Sequence, residues 1–180
     1  MQKNIETDKQ IAVYTTITAI FLLSYLTFGK DITLGVTSTS CFYTHLTYIF
    51  VHANLFHLIT NIFSLSFTLI LLKKIANMKY YVMTAIGLIS AFVASFIFMQ
   101  DIPTVGASGV VYALLGTYCY LRFDKLALKL LLTLTIINLL QYFFGTINVF
   151  IHAFSFAFGF IGTALWDSYY VIKFVRNEKR

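Results

Sequence analysis

Long apolar runs broken by short polar stretches follow one another along this chain. The first extends from about Ile11 to Phe28 and is followed by a stretch rich in Gly, Ser and Thr, Gly29 to about Thr44. A second occupies roughly Val51 to Leu72, a third about Tyr80 to Met99, and a fourth about Ser108 to Leu121. A fifth covers about Leu126 to Phe144, and a sixth starts near Val149 and ends around Trp166-Asp167. A helix needs ~20 predominantly apolar residues to cross a hydrocarbon core. Within lipid, a helix satisfies its own backbone hydrogen bonds. The pattern therefore predicts an all-α membrane protein, a bundle of six transmembrane helices. Residues 1–180 form one membrane domain, with a short polar N-terminal segment over 1–10 and a basic tail over 173–180. The first run is too long, and lacks the small-residue cleavage pattern, to be a signal peptide.

Composition sharpens this picture. Hydrophobic residues make up 59% of the chain and charged residues only 11%, against about 25% charged in a soluble domain. The net charge of +6 does not point to nucleic acid, because of where it sits. Lys73, Lys74 and Lys79 follow the second run, Arg122, Lys125 and Lys129 follow the fourth, and Lys173, Arg176, Lys179 and Arg180 end the chain. Basic residues at alternate loops set orientation, so both termini are expected in the cytoplasm. The chain is then an integral multi-pass protein, and the lack of a transit segment favours the cytoplasmic membrane of a prokaryote. Cys41 and Cys119 fall toward opposite faces, too far apart for a disulfide.

Candidate chemistry enters with a few polar residues inside the apolar runs. Pro103 to Gly116 opens the fourth run with a serine, Ser108, flanked by Gly106 and Gly109. Its position near a helix N-terminus places free N–H groups where negative charge could develop. Small residues alone also serve helix packing, so this motif needs support from elsewhere. The second run carries His52, Asn54, His57, Thr60 and Asn61 toward one end, and the sixth opens with His152. Such groups are costly in hydrocarbon unless paired or functional.

Helical rise brings them to one level. Counted from Lys73, Arg122 and Asp167, Asn61 lies roughly 18 Å from the inner boundary, His57 about 24 Å, Ser108 roughly 21 Å and His152 about 22 Å. Ser108 needs a base, and His152 is the imidazole at that depth outside the second span. No carboxylate shares the level, so a dyad is the simpler reading. The Ser108 backbone N–H, His57 and Asn61 are candidate donors to an oxyanion. The alternative for His57 and Asn61 is a bond to each other or to backbone that steadies a helix end.

These residues carry a family resemblance. His52-Ala53-Asn54-Leu55-Phe56-His57-Leu58-Ile59-Thr60-Asn61, Gly106-Ala107-Ser108-Gly109-Val110-Val111-Tyr112 and His152 together resemble the rhomboid intramembrane serine proteases. The resemblance implies Ser108 as nucleophile, His152 as general base and then acid, and His57, Asn61 and backbone N–H as the oxyanion site. It implies that Gly106 permits the tight loop before the nucleophile. It also implies that Tyr112 packs on His152 and that His52 ties the second span to its loop. The reaction implied is peptide hydrolysis in or beside transmembrane segments of membrane-protein substrates, in contact with lipid and without metal or other cofactor.

Two positions depart from the family. Tyr43-Thr44, followed by His45, stands where bacterial members often have Trp-Arg, and Ser155 stands where a glycine usually follows the base. Gly159 and Gly162 are expected to keep the fourth and sixth helices close. A catalytically silent rhomboid-like protein that binds transmembrane helices is the alternative function. A zinc site built on the histidines lacks the Glu of a His-Glu-x-x-His enzyme and leaves Ser108 without a role.

Overall fold

Helix ends in this protein are set by capping groups and breakers as much as by the apolar runs. The computed structural model describes residues 2–28, 31–75, 80–143 and 148–178. Gly29, Lys30, Lys79, Phe144, Gly145, Thr146, Lys179 and Arg180, which the sequence pattern puts in loops, the tail or the end of the fifth run, lie outside the described residues, as do the side chains of Lys74, Gln141, Lys173 and Arg176. Among the described residues the fold is helical, with one isolated bridge between Val36 and Thr104. The helices are α1 (Gln2–Phe28), the short α2 (Thr44–Thr47), α3 (Leu55–Ile75), α4 (Tyr80–Ile97), α5 (Ser108–Leu121), α6 (Lys125–Phe143) and α7 (Val149–Glu178). One-turn 3₁₀ segments cover Ile32–Leu34 and Tyr48–Phe50.

Three ends have visible causes. Helix α3 starts at Leu55 rather than near Val51, because Asn54 Oδ1 accepts the His57 N–H at 2.8 Å and caps the first turn. His52 and Ala53 therefore precede the helix. Asp124 Oδ1 takes the N–H groups of Leu126 and Ala127, at 3.0 and 2.9 Å, and starts α6 immediately after α5. The Ala127 N–H holds that carboxyl below its ordinary range, and Arg122 Nε reinforces it at 2.8 Å. Helix α7 continues past Trp166 to Glu178; neither Gly nor Pro lies between them to stop it.

Leu55–Lys73 of α3 and Val149–Tyr170 of α7 are long and apolar enough to cross a membrane. Thr15–Phe28, Tyr81–Ile97 and Ser108–Leu121 are shorter apolar helices. Large apolar side chains face outward along these helices and α6, among them Leu26, Phe63, Leu132 and Leu165. Such a surface suits a lipid solvent and would be an aggregation hazard in water.

Helix α5 is the buried centre, packed against α3, α4 and most extensively α7. Two glycines interlock it with α7: Gly116 faces the backbone of Phe156 and Phe160, and Gly159 faces the backbone of Ala113. The expectation for Gly162 is corrected here, since it turns toward Ile86 of α4 at ordinary contact distance. Gly116 makes the second close approach between α5 and α7. Beside them the Thr163 hydroxyl lies 2.9 Å from Thr117 Oγ1 and 2.7 Å from the Gly159 carbonyl. In lipid, where apolar burial between helices gains little, such small-residue contacts and interhelical hydrogen bonds hold a bundle together.

Candidate active site

The loop before Ser108 is held in place from several directions. Val36 and Thr104 exchange both backbone hydrogen bonds at 2.9 Å, and Ser38 donates to Asp101 at 2.7 Å. Asn148 Nδ2 donates to the Phe98 carbonyl at 2.7 Å and to Thr104 Oγ1 at 3.2 Å, while its Oδ1 accepts the Ile151 N–H at 3.2 Å. One side chain thus caps α7, one turn before His152, and ties that helix to the loop. The Gly106 N–H donates to the Tyr48 carbonyl at 2.9 Å.

Gly106 then turns the chain at φ +106°, in the region that favours glycine. A Cβ there would lie 2.7 Å from the His57 ring and 3.3 Å from Asn61 Nδ2. The absence of a side chain lets the His57 imidazole and the Asn61 amide come up against the backbone two residues before Ser108. One N–H of Asn61 donates to the His57 carbonyl at 3.0 Å, which is the helix-steadying bond anticipated as the alternative role, and the amide carries a second N–H.

Ser108 is the first residue of α5, and the preceding Ala107 makes no side-chain cap. The first N–H groups of a helix have no intrahelical acceptor, so the serine stands beside uncapped donors at the positive end of the helix dipole. Its Oγ lies 2.7 Å from His152 Nε2 on α7. Tyr112, one turn along α5, stacks on the His152 ring with centroids 4.4 Å apart and planes 8° from parallel. His152 is 8% exposed. A hydroxyl this close to an imidazole nitrogen can give up its proton as its oxygen attacks a carbonyl.

His52 is fully buried, its Nδ1 bonds the Phe50 carbonyl at 3.2 Å, and its ring meets His57 edge-on at 5.2 Å. At the position of the family's Trp-Arg, Tyr43 is exposed and the next two residues are buried. His45 stacks on Phe96 with centroids 3.8 Å apart and bonds Ser95 Oγ at 2.9 Å, so the loop is fastened to α4 by an imidazole. Ser155 packs fully buried, with Oγ 3.3 Å from where a Gly109 Cβ would lie and no hydrogen-bond partner among the described residues. Cys41 and Cys119 are both free thiols. Among the described residues no three His, Cys, Asp or Glu side chains stand together as metal ligands do.

Two contributors had no role in the sequence reading. Asn148 carries the signal of an N-cap, an Asn directly before an apolar helix. Asn138 stands within the fifth apolar run; its Oδ1 lies 2.8 Å from His152 Nδ1 and its Nδ2 bonds Tyr112 Oη. Counted from Lys125 it stands about 20 Å up its helix, the same level as Ser108.

No curated protein and no solved structure matches the chain. A family model described as the rhomboid domain matches residues 39–173, a span that holds His45, Asn148, Ser108 and His152. This chain belongs to the rhomboid family of membrane proteins.

Proposed function

We propose that this protein is an intramembrane serine endopeptidase that hydrolyses peptide bonds in or next to transmembrane segments of membrane-protein substrates. The observation that carries the reading is the 2.7 Å approach of Ser108 Oγ to His152 Nε2, made between the two most closely interlocked helices. An interhelical hydrogen bond by itself serves packing; the Tyr stacked behind the imidazole and the uncapped helix start in front of the serine are what a nucleophile needs beyond it.

In the reaction, Ser108 Oγ attacks the scissile carbonyl while its proton passes to His152 Nε2. The carbonyl oxygen becomes an oxyanion, met by the Ser108 N–H, the Asn61 amide and the His57 ring. His152 returns the proton to the leaving nitrogen, which departs as an amine and leaves an acyl-serine. Water then repeats the sequence, with His152 as base toward the water and acid toward Ser108 Oγ. Gly106 keeps a side chain away from the His57 and Asn61 groups that must meet the substrate, Gly109 lets α5 pack against Ala91, Tyr48 and Ser155, and His52 supports the segment leading into α3. The chain's own residues supply every proton transfer, so no metal or other cofactor takes part.

The same reading has residues 1–180 as one domain of six spans, termini in the cytoplasm, in the cytoplasmic membrane of a prokaryote. Helix α5, at 14 residues, is about 21 Å long against a hydrocarbon core of ~30 Å. With its basic end at the inner boundary, Ser108 is submerged below the outer face, and water reaches it from that side.

The test is cleavage of a reporter transmembrane segment by the purified chain in lipid vesicles. Wild type cleaves it and is labelled at Ser108 by a fluorophosphonate; Ser108→Ala and His152→Ala stay folded and do neither. Cleavage retained in Ser108→Ala, or a folded wild type that neither cleaves nor labels, overturns the reading, the latter in favour of a silent, helix-binding member.

A further inference from the structure

Asn138 sits on α6, a helix packed more lightly on its neighbours than α5 or α7. Its amide is 8% exposed and lies between His152 and Tyr112, and the reaction above gives it no part. A neutral imidazole holds one proton, and the bond made by one ring nitrogen decides the state of the other. His152 Nε2 can accept from Ser108 only if the proton is on Nδ1, and a buried Nδ1–H needs an acceptor.

Asn138 Oδ1, at 2.8 Å from Nδ1, is that acceptor. With its oxygen toward His152, the amide nitrogen points to Tyr112 Oη, whose lone pairs accept it. Turning the amide over would also satisfy its neighbours, with the Tyr112 O–H given to Oδ1, Nδ2–H to Nδ1, and Nε2–H to Ser108. That second arrangement has no base, and an amide N–H would face the imidazolium formed during attack. The two orientations of one side chain therefore separate a competent site from an incompetent one.

We propose that Asn138 is a positioning residue for His152: its Oδ1 accepts from Nδ1–H, which keeps Nε2 open to the Ser108 proton and supports the imidazolium once it forms. The part an Asn plays beside the histidine in Cys-His-Asn proteases is chemically the same. Its catalytic consequence rests on the protease reading; the tautomer does not. The groups against His152 are the Ser108 hydroxyl and Tyr112 phenol of α5 and the Asn138 amide of α6, with the His57 imidazole of α3 near enough to act on its charge. No carboxylate is among them, so a charge introduced at 138 has an unobstructed effect.

Two measurements on the full chain test this. In the first, ring nitrogen-15 NMR at neutral pH reads the His152 tautomer, its signals identified by their loss in His152→Ala. Wild type shows Nδ1–H and bare Nε2, and Asn138→Leu loses that preference. In the second, reporter cleavage is followed against pH. Asn138→Leu lowers kcat on the order of 10²-fold, the scale of general-base assistance, with KM within about twofold. Asn138→Asp keeps an acceptor, restores kcat to within about tenfold of wild type, and moves the acidic limb of the profile to higher pH, because a carboxylate favours the imidazolium. Retained fluorophosphonate labelling of Asn138→Asp shows that the site still folds. An Nε2–H tautomer in wild type, or an Asn138→Leu variant with unchanged kcat and pH profile, overturns the proposal. A wild type that shows Nδ1–H but cleaves nothing removes the protease reading and leaves the amide's hold on the imidazole standing.

Discussion

At the scale of single residues, the candidate site depends on one missing side chain as much as on those present. Gly106 combines φ +106° with a vacant Cβ direction that the His57 ring fills to 2.7 Å. Gly106→Ala meets both penalties: ~1–2 kcal/mol for a Cβ in left-handed backbone, and a push against an imidazole held on the capped first turn of α3. The ring and the Asn61 amide then retreat from the backbone that leads to Ser108. The expected outcome is a fall in kcat for reporter cleavage of at least tenfold, with a melting temperature a few degrees lower in detergent. Gly106→Ala with wild-type kcat would mean that His57 and Asn61 take no part in the chemistry. The Ser108, His152, His57 and Asn61 cluster is legible in the sequence because polar groups in apolar runs stand out and helical rise assigns them a depth. Asn138 answers to the same count, but a search for a third member confined to carboxylates passes over an amide. Asn148 escapes for another reason: its value lies in joining α7 to a loop far away in sequence, and spacing carries no sign of such a contact.

At the scale of elements, apolar runs bounded by charge locate α4, α5 and α6 to within about two residues. They fail where a cap or a missing breaker decides, as at Asn54 before α3 and beyond Trp166 in α7. Which face of a helix a glycine serves is likewise hidden, since Gly159 and Gly162 share a helix but meet different neighbours. That difference is testable. At Gly159 a Cβ would run into the Ala113 backbone, which cannot move aside without shifting α5; at Gly162 it would touch only Ile86 Cγ2, at 3.4 Å. Overpacking a tight contact costs ~1–3 kcal/mol. Gly159→Ala should therefore lower the melting temperature by several degrees. It should also slow fluorophosphonate labelling of Ser108, because α5 and α7 bring the serine and the imidazole together from about two turns away. Gly162→Ala should leave both close to wild type. Thermal unfolding in detergent and labelling rates on the same samples measure the pair, and equal effects at the two positions would contradict the packing described for α5 and α7.

At the scale of the whole molecule, orientation decides whether water can reach Ser108. In the proposed orientation α5 is shorter than the hydrocarbon core, and the loop 98–107, clamped by Val36, Ser38 and Asn148, occupies the remaining depth at the Ser108 end. The opposite end passes through Arg122 and Asp124, an ion pair with a 59% exposed arginine side chain, directly into α6. A charged turn of this kind belongs at an aqueous boundary, and an excess of Arg and Lys selects the cytoplasmic one. Cys41 lies in the first loop, on the Ser108 side, and is exposed, whereas Cys119 is buried in α5. Intact cells treated with a membrane-impermeant maleimide should therefore modify the wild-type protein at Cys41 alone. Phe123 is 70% exposed beside the charged turn. In a Cys41→Ser background, Phe123→Cys should stay unmodified in intact cells and react once the membrane is opened. Labelling of position 123 from outside would invert the chain, put Ser108 at the cytoplasmic face, and require substrates to be cut on that side. Labelling of both loops from one side would remove a crossing between them, and with it the submerged serine on which hydrolysis within the membrane depends.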